Sequence, residues 1–175
     1  FMLNKTIFLD RDGVINKDVN YLHKIKECEF IDGIFEACIY FQDIGFKIVI
    51  ITNQSGIARG YFNENDYQIL TNWITLQFNK KSIKLLEIFH CPHGPDSKCS
   101  CRKPRPGMLL EAQHKYSIDM SNSWLIGDRE DDILAANNAG INNTILVRSG
   151  HKINEDISNA KHILDSISDC VKVIK

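Results

Sequence analysis

Short apolar runs alternate along this chain with longer segments of helical periodicity, and this alternation constrains the fold more than any other feature. Residues 47–51 (KIVII) form a near-continuous β-branched run, which is typical of a strand buried on both faces. Residues 33–44 (GIFEACIYFQDI) carry apolar side chains at helical spacing, and Gly45 is suited to ending a helix. Strands that alternate with helices predict a mostly parallel sheet with helices on both faces, that is, a three-layer α/β domain.

The same pattern continues along the whole chain. At 175 residues the chain is long enough for one domain with a sizeable core. No internal repeat, low-complexity tract or linker interrupts the pattern, so we expect a single domain over residues 1–175. Strands are expected at 5–9, 47–51, 85–89, 123–126, 144–148 and 162–164, and helices at 33–44, 64–80, 106–116, 130–139 and 166–174.

Charge and hydropathy narrow the class of partner. The net charge is −1, which argues against a broad nucleic-acid-binding or anionic-membrane surface. No apolar run approaches the ~20 residues of a membrane span, and no signal-peptide layout precedes the first strand. We therefore expect a cytoplasmic protein. No heptad pattern is present, so a monomer is the expected state.

Polar clusters follow four of the predicted strands, at the point where each strand ends. They begin at Asp10, Thr52, Cys91 and Asp128. In parallel α/β sheets, ligands bind at the carboxyl ends of the strands. The sequence therefore predicts that these four clusters meet in one site.

The first cluster is FLDRDGVIN, at residues 8–16. Asp10 and Asp12 stand two apart at the exit of an apolar strand and are followed by Gly13. Two carboxylates so placed can share a metal and divide the roles of nucleophile and general acid/base. The alternative is an acidic turn, because Asp and Gly are common after strands.

The second and third clusters offer groups that suit a phosphoryl ligand. TNQSGIARG, at 52–60, combines a hydroxyl, an amide and two glycines, although taken alone it reads as an ordinary polar loop. CRKPRPG, at 101–107, places Arg102 and Lys103 between a cysteine and Pro104. A lysine constrained in this way can neutralise charge on transferring phosphoryl oxygens.

The fourth cluster is IGDREDD, at 126–132. Asp128 follows an apolar strand and Gly127, which makes it the better metal ligand of the three aspartates. Asp131 and Asp132 are expected in the first turn of the next helix, where negative charge interacts favourably with the helix dipole. For these two residues, helix capping and a supporting role in the site are equally good interpretations.

Five of the six arginines lie within or beside these clusters: Arg11, Arg59, Arg102, Arg105 and Arg129. The planar guanidinium fork suits phosphate recognition better than a flexible ammonium does. The alternative, which applies to some of the five, is a solvated surface arginine.

Taken together, the motifs DxDGV, TNQSG, CRKPxPG and GDRxxD occur in this order between residues 8 and 140. This ordered set resembles the haloacid dehalogenase superfamily of aspartate-nucleophile phosphatases. The resemblance implies a Rossmann-like, mostly parallel α/β fold and phosphate-ester hydrolysis that depends on Mg²⁺.

The resemblance also implies a role for each catalytic residue. Asp10 attacks phosphorus, and Asp12 protonates the leaving oxygen and later activates water. Asp10, the Asp12 backbone carbonyl and Asp128 hold the Mg²⁺ ion, while Thr52 and Lys103 stabilise the phosphoryl oxygens. These roles agree with the chemistry, because Mg²⁺ prefers a few carboxylates together with phosphate oxygens and water.

A compact cluster of cysteines and one histidine precedes the CRKP motif. Cys91, His93, Cys99 and Cys101 supply three thiolates and an imidazole within eleven residues, which suits a closed tetrahedral Zn²⁺ site. A disulfide is the alternative, and it is disfavoured in a reducing compartment. His90 adjoins the cluster, but the spacing favours His93. Since all four ligands are protein groups, zinc here is predicted to fold the loop rather than take part in chemistry.

The zinc loop directly before CRKP, together with DRDGVIN and NQSGIARGYF, is similar to a zinc-loop subfamily of these phosphatases over nearly the whole chain. The subfamily implies either a sugar-bisphosphate phosphatase that supplies cell-surface polysaccharide synthesis or a histidinol-phosphate phosphatase. The continuation SGIARGYF at 55–62 favours the sugar-bisphosphate enzyme. A third alternative is a catalytically inactive, zinc-stabilised binding module, which the missing basic stripe disfavours.

No sizeable insertion separates the catalytic motifs, so we expect no cap domain and selectivity that depends on loops. The resemblance implies that substrate contacts come from the loop after the first strand, from the second motif and from cationic residues. Arg102 is the candidate for a distal phosphate. The implied substrate-binding residues are Asp18, Val19, Asn20, Tyr21, Thr52, Asn53, Gln54, Ser55, Arg102, Lys103 and Arg129.

Overall fold

The computed structural model describes residues 2–175. Within that range the predicted alternation of strands and helices is confirmed. The strands are β1 (Thr6–Leu9), β2 (Lys47–Asn53), β3 (Leu85–Cys91), β4 (Trp124–Gly127), β5 (Asn143–Val147) and β6 (His162–Leu164). The α-helices are α1 (Ile34–Asp43), α2 (Glu64–Lys80), α3 (Gly107–Tyr116), α4 (Glu130–Asn138) and α5 (Ile167–Cys170).

All six strands lie in one parallel sheet, in the order β3-β2-β1-β4-β5-β6. The chain moves outward from β1 to β2 and β3, then returns to place β4 on the other side of β1. This reversal of direction is the topological switch point, where α/β sheets bind their ligands. Asp10 and Asp128 follow the two strands that flank it.

Side chains that alternate along each strand pack into two apolar layers, one on each face of the sheet. Ile7 and Leu9 pack with residues of α1, α2 and α5, whereas Phe8 packs with residues of α3 and α4. Since successive residues of a strand point to opposite faces, a nearly unbroken apolar strand serves both layers. The three-layer α/β prediction is therefore confirmed.

Three elements end more than one residue away from the sequence prediction. β2 and β3 continue to Asn53 and Cys91, where they still pair, because hydrogen bonding extends past the apolar run into polar residues. The last helix ends at Cys170 rather than near 174. The residues after it (VKVI) include three β-branched side chains, which restrict helix formation, and residues 171–173 form turns instead.

The segment from β1 to α1, residues 10–33, is the longest stretch outside the strands and α-helices, and it contains one 3₁₀ turn, Ile25–Glu27. The part of the chain that the structure describes therefore has no inserted cap over the carboxyl edge of the sheet. None of its helices combines the length and apolar character that crossing a membrane requires.

Candidate active site

Asp10 stands at the carboxyl end of β1, where the last strand hydrogen bond is donated by its amide to the Ile126 carbonyl over 3.1 Å. Its side chain is only 10% exposed. Asp10 Oδ1 accepts hydrogen bonds from the Lys103 ammonium at 3.0 Å and from the Arg11 amide at 2.8 Å. Burial raises the pKa of Asp10 to about 7; Lys103 opposes this shift, and the neighbouring Asp128 carboxylate adds to it.

Three buried aspartates crowd together at this point. Oxygens of Asp10, Asp128 and Asp132 all lie within 4.8 Å of one another. Asp128 Oδ1 is fully buried and has no hydrogen-bond partner among the described residues. A buried, unpartnered carboxylate oxygen beside a second carboxylate is costly unless a cation compensates it. Hard oxygen ligands of this kind fit Mg²⁺.

Asp132 differs from the other two aspartates because its oxygens are already engaged. Oδ1 lies 2.6 Å from Lys103 Nζ, and Oδ2 accepts from the backbone amides of Asp128 and Arg129, each at 3.1 Å. The two interpretations of Asp132 left open by the sequence therefore both apply: it caps α4 and supports the site. Burial, followed by repulsion from Asp10, raises the pKa of Asp132 to about 6.

Lys103 reaches the aspartates from the CRKP loop and is only 3% exposed. Burial disfavours its charge, but attraction to Asp10 and Asp132 outweighs burial and raises the pKa of Lys103 above its usual value. Asn53, at the end of β2, fixes the Lys103 backbone: its Nδ2 donates to the Lys103 carbonyl at 3.2 Å, and its Oδ1 accepts from the Lys103 amide at 3.1 Å. A charged ammonium is thus held beside Asp10.

The Asp12 side chain is held by neighbours on several sides. Oδ1 accepts from Arg11 Nη2 at 3.0 Å and from Asn16 Nδ2 at 2.9 Å, and Oδ2 accepts from Gln54 Nε2 at 3.2 Å. Arg11 is 2% exposed and also donates to the Leu22 carbonyl at 3.1 Å. Arg11 is therefore a buried partner of Asp12 rather than a phosphate ligand.

Gly13 allows this loop to approach Asp128. Its φ is +91°, in the left-handed region. A Cβ atom at Gly13 would lie 2.3 Å from Asp128 Oδ2, so a side chain there would collide with the carboxylate. The glycine of the DxDG motif is thus required by both its backbone conformation and the space available.

A cavity of about 230 Å³ opens above these residues. Among its lining residues are three arginines, Arg59, Arg102 and Arg129, whereas Arg105 instead donates to the Ser97 carbonyl at 2.9 Å within the cysteine loop. The predicted site residues on its wall are Asp10, Asp12, Asp18, Asn20, Tyr21, Asn53, Gln54, Ser55, Arg102, Lys103 and Arg129.

Three predicted site residues do not line the cavity. Thr52 is 1% exposed, and its hydroxyl accepts from Gln54 Nε2 at 2.9 Å. Asp128 is fully buried behind His151, which does line the cavity. Val19 is 48% exposed and lies off the wall. The structure therefore places Thr52 and Asp128 next to lining residues and leaves Val19 toward solvent.

Five further residues line the cavity that were not among the predicted site residues: Gly56, Arg59, Asp131, Asp132 and His151. Arg59 lies in the SGIARG loop and was noted only as one of the five arginines within or beside the motifs. His151 follows β5 in the segment RSGHK, and the rule that ligand sites form at strand ends applies to β5 as well. That rule was the available signal for His151.

The four zinc-ligand candidates converge beside the cavity. Cys91 Sγ lies 2.9 Å from Cys101 Sγ, 3.7 Å from Cys99 Sγ and 3.4 Å from His93 Nδ1. A tetrahedral zinc ion with bonds of roughly 2.0–2.3 Å separates its ligand atoms by about 3.3–3.8 Å. The contacts of Cys91 with Cys99 and with His93 lie in that range, whereas the 2.9 Å between Cys91 and Cys101 is shorter and would have to widen around a bound ion. All these cysteines are free, and burial together with the adjacent sulfurs raises the pKa of Cys101 to about 12.

The neighbouring His90 takes no part in this cluster. Its ring stacks on Tyr67 with centroids 4.0 Å apart, and Nε2 contacts the Glu64 carboxylate. His93, by contrast, directs Nδ1 at the thiols of Cys91 and Cys101. The geometry thus agrees with the spacing argument that favoured His93.

The chain is similar in sequence to known phosphatases. Residues 100–170 match a family model described as HAD-hydrolase-like. A D-glycero-alpha-D-manno-heptose-1,7-bisphosphate 7-phosphatase of Photorhabdus laumondii is 49% identical over 163 residues, covering 89% of each chain. A D-glycero-beta-D-manno-heptose-1,7-bisphosphate 7-phosphatase of Escherichia coli K12 is 42% identical, covering 97% of this chain and 93% of the relative.

A solved structure extends the similarity to three dimensions. The D,D-heptose 1,7-bisphosphate phosphatase from B. bronchiseptica, crystallised with magnesium and phosphate, superposes with a TM-score of 0.84 at 30% identity. The alignment covers 97% of both chains. The similarity in fold therefore extends over nearly the whole length of both chains.

Proposed function

Because this chain belongs to the HAD-hydrolase-like family and, within it, to the heptose-1,7-bisphosphate 7-phosphatases, we propose that it hydrolyses the 7-phosphate of D-glycero-D-manno-heptose 1,7-bisphosphate through an aspartyl-phosphate. The observation that carries the proposal is the arrangement of Asp10, Lys103 and Asp128 at the switch point of the sheet, in a chain 42–49% identical to such enzymes.

In the first step, a carboxylate oxygen of Asp10 attacks the phosphorus of the 7-phosphate. The bond between phosphorus and the sugar oxygen breaks, and Asp12 donates a proton to that leaving oxygen. Lys103 lies 3.0 Å from Asp10 Oδ1, where its charge offsets the negative charge on the phosphoryl oxygens. The products of this step are heptose 1-phosphate and phospho-Asp10.

In the second step, Asp12 acts as a general base. Its carboxylate takes a proton from water as the water oxygen attacks the phosphorus of phospho-Asp10. The bond from phosphorus to Asp10 breaks, inorganic phosphate leaves and Asp10 is regenerated. The contacts of Asp12 with Arg11, Asn16 and Gln54 hold its carboxyl group in one orientation for both proton transfers.

Two metals fit the residues present. Asp10, Asp128 and the Asp12 carbonyl are suited to Mg²⁺, which supplies charge neutralisation and orientation of the phosphoryl group when bound. Cys91, His93, Cys99 and Cys101 are suited to Zn²⁺. Four protein ligands leave no open position on that zinc, so we assign it the folding of the loop that carries Lys103.

The residues of the cavity wall are the candidates for contacting the sugar and its second phosphate. We assign substrate contacts to the loop of Asp18, Asn20 and Tyr21, to Asn53, Gln54 and Ser55, and to the arginines. Arg102 is the first candidate for the distal phosphate, because it lines the cavity next to Lys103 and its side chain is half-buried. Arg102 Nη1 donates to the His93 carbonyl at 3.3 Å, and this hydrogen bond links the Arg102 guanidinium to the zinc loop.

We expect Arg102→Ala to lower kcat/KM for heptose 1,7-bisphosphate about tenfold to a hundredfold more than for heptose 7-phosphate. The loss of a charge-assisted contact, roughly 1.5–3 kcal/mol, applies only to the substrate that carries the second phosphate. The measurement is paired steady-state kinetics on the two sugars. Arg105→Ala is the matched control, since Arg105 supports the same loop without lining the cavity. Equal losses on both sugars would assign Arg102 to the reacting phosphate or to the loop fold.

The experiment that tests the function itself is a phosphate-release assay with added Mg²⁺. Both anomers of heptose 1,7-bisphosphate are compared with heptose 7-phosphate, other sugar phosphates and histidinol phosphate. We expect kcat/KM for one heptose bisphosphate anomer to exceed that for every other compound by at least about tenfold. A higher value for histidinol phosphate would replace the proposed substrate while leaving the phosphatase chemistry in place.

A further inference from the structure

His151 makes more contacts with the site than its place in the sequence suggests. It lies in the loop after β5, and its side chain is 32% exposed and faces the cavity. Its neighbours are the metal-ligand candidate Asp128, the substrate-facing Asp18 and the cavity arginine Arg129.

On one side, two nitrogens of His151 contact the same oxygen of Asp128. The His151 amide donates to Asp128 Oδ2 at 2.9 Å, and His151 Nδ1 lies 2.6 Å from the same oxygen. Asp128 Oδ1 is thereby left buried and without a hydrogen-bond partner among residues 2–175. Two donors on one carboxylate oxygen restrict the orientation of the carboxylate and leave Oδ1 available to a cation.

The backbone around His151 is shaped for this contact. A Cβ atom at Gly150 would lie 2.2 Å from Asp128 Oδ2, so only glycine allows the loop to approach so closely. Ser149 Oγ donates to the Gly13 carbonyl at 2.8 Å, which docks the same loop onto the loop that carries Asp10. The position of His151 is therefore set by contacts on both sides of it.

On its other side, the same ring reaches the sugar-facing wall. His151 Nε2 lies 2.8 Å from Asp18 Oδ2 and 2.6 Å from Arg129 Nη2. One imidazole therefore joins the residue suited to hold the cation with two residues of the substrate wall. Partners that hold a metal ligand in place typically change metal affinity 10–100-fold when they are removed.

We propose that His151 is a positioning residue with two separable tasks: Nδ1–H donates to Asp128 and orients it for the divalent cation, and Nε2, which then carries no proton, accepts from Arg129 and holds it at the substrate wall beside Asp18. The second task rests on the proposed function, whereas the first requires only the cation site. The two nitrogens provide a direct way to separate the tasks, because Asn can reproduce the donor at Nδ1 and Gln can reproduce a polar group at Nε2.

The test compares His151→Asn, His151→Gln and His151→Ala with wild type. Mg²⁺ affinity is measured without substrate, by calorimetry and by the rise in unfolding temperature with added Mg²⁺. We expect Gln and Ala to weaken Mg²⁺ binding about tenfold or more, and Asn to stay within about threefold of wild type. KM for the heptose bisphosphate should rise about tenfold in Asn and Ala, and less in Gln. His114→Gln, on the exposed side of α3, is the control.

Unchanged Mg²⁺ affinity in all three variants would overturn the proposal, and so would identical behaviour of Asn and Gln. A merely structural role would lower the unfolding temperature of the metal-free protein without altering Mg²⁺ affinity, and that result also counts against it. Failure of the proposed function would give a different result. Wild type would bind Mg²⁺ and His151→Gln would bind it more weakly, as expected, but wild type would not turn over heptose bisphosphate.

Discussion

Asp10→Asn should lose turnover by roughly four orders of magnitude or more while the protein remains folded. The amide cannot supply the attacking carboxylate oxygen, and removal of a nucleophile typically has an effect of this size. The substitution is nearly isosteric, and its remaining oxygen still accepts from Lys103 Nζ and from the Arg11 amide. Stability should therefore change far less than activity does.

The measurement combines kinetics with trapping of the intermediate. Wild type quenched with acid during turnover should carry one phosphate on the peptide that contains Asp10, and Asp10→Asn should carry none. Asp156→Asn, an exposed carboxylate far along the chain, controls for the change of charge. Retention of a tenth of wild-type turnover by Asp10→Asn would exclude Asp10 as the nucleophile.

Cys99→Ser should have the second-largest effect, this time on stability. Structural zinc sites bind with apparent free energies of about 10–16 kcal/mol, and much of that energy contributes to folding. A loss of even about 3 kcal/mol corresponds to about 6–12 °C in unfolding temperature for a chain of this size. Wild type should contain about one tightly held zinc per chain, and the variant much less.

Activity should fall together with zinc, because the loop continues directly from Cys101 into Arg102 and Lys103. The Lys103 backbone is held by Asn53, but that pair depends on the loop returning to the end of β2. Elemental analysis, thermal unfolding and turnover with Mg²⁺ make up the measurement. Cys28→Ser, outside the cluster, should keep its zinc. Zinc-free wild type, or a Cys91–Cys101 disulfide under reducing conditions, would contradict the assignment.

The sequence was sufficient to predict the sheet and the residues at its strand ends. The sequence pattern located the six strands and five α-helices of the described residues but none of the 3₁₀ turns. The strands were recognisable because burial on both faces of the sheet requires nearly continuous apolar runs. Parallel strands bring their carboxyl ends to one edge, and this placed Asp10 and Asp128 together from sequence order alone. The boundaries were less accurate where hydrogen bonding, rather than apolar character, ends an element.

Sequence patterns could not predict which side chains distant in the sequence contact one another. Asp132 meets Lys103, and His151 meets Asp128, 23 residues away, only because α4 and the loop after β5 pack against the same edge. For Asp132, local pattern left helix capping and a supporting role in the site equally open, and for His151 it gave no indication. Val19 shows the converse: a resemblance to a binding loop indicates the loop, but the direction of each side chain depends on local backbone geometry.

The most direct test of the central claim is to follow hydrolysis of heptose 1,7-bisphosphate by ³¹P NMR with Mg²⁺ present. We expect the 7-phosphate ester signal to disappear as one equivalent of inorganic phosphate appears, leaving heptose 1-phosphate as the sole sugar product. Histidinol phosphate at the same concentration should remain intact over that time. Formation of heptose 7-phosphate, or histidinol phosphate hydrolysed ahead of the bisphosphate, would contradict the account.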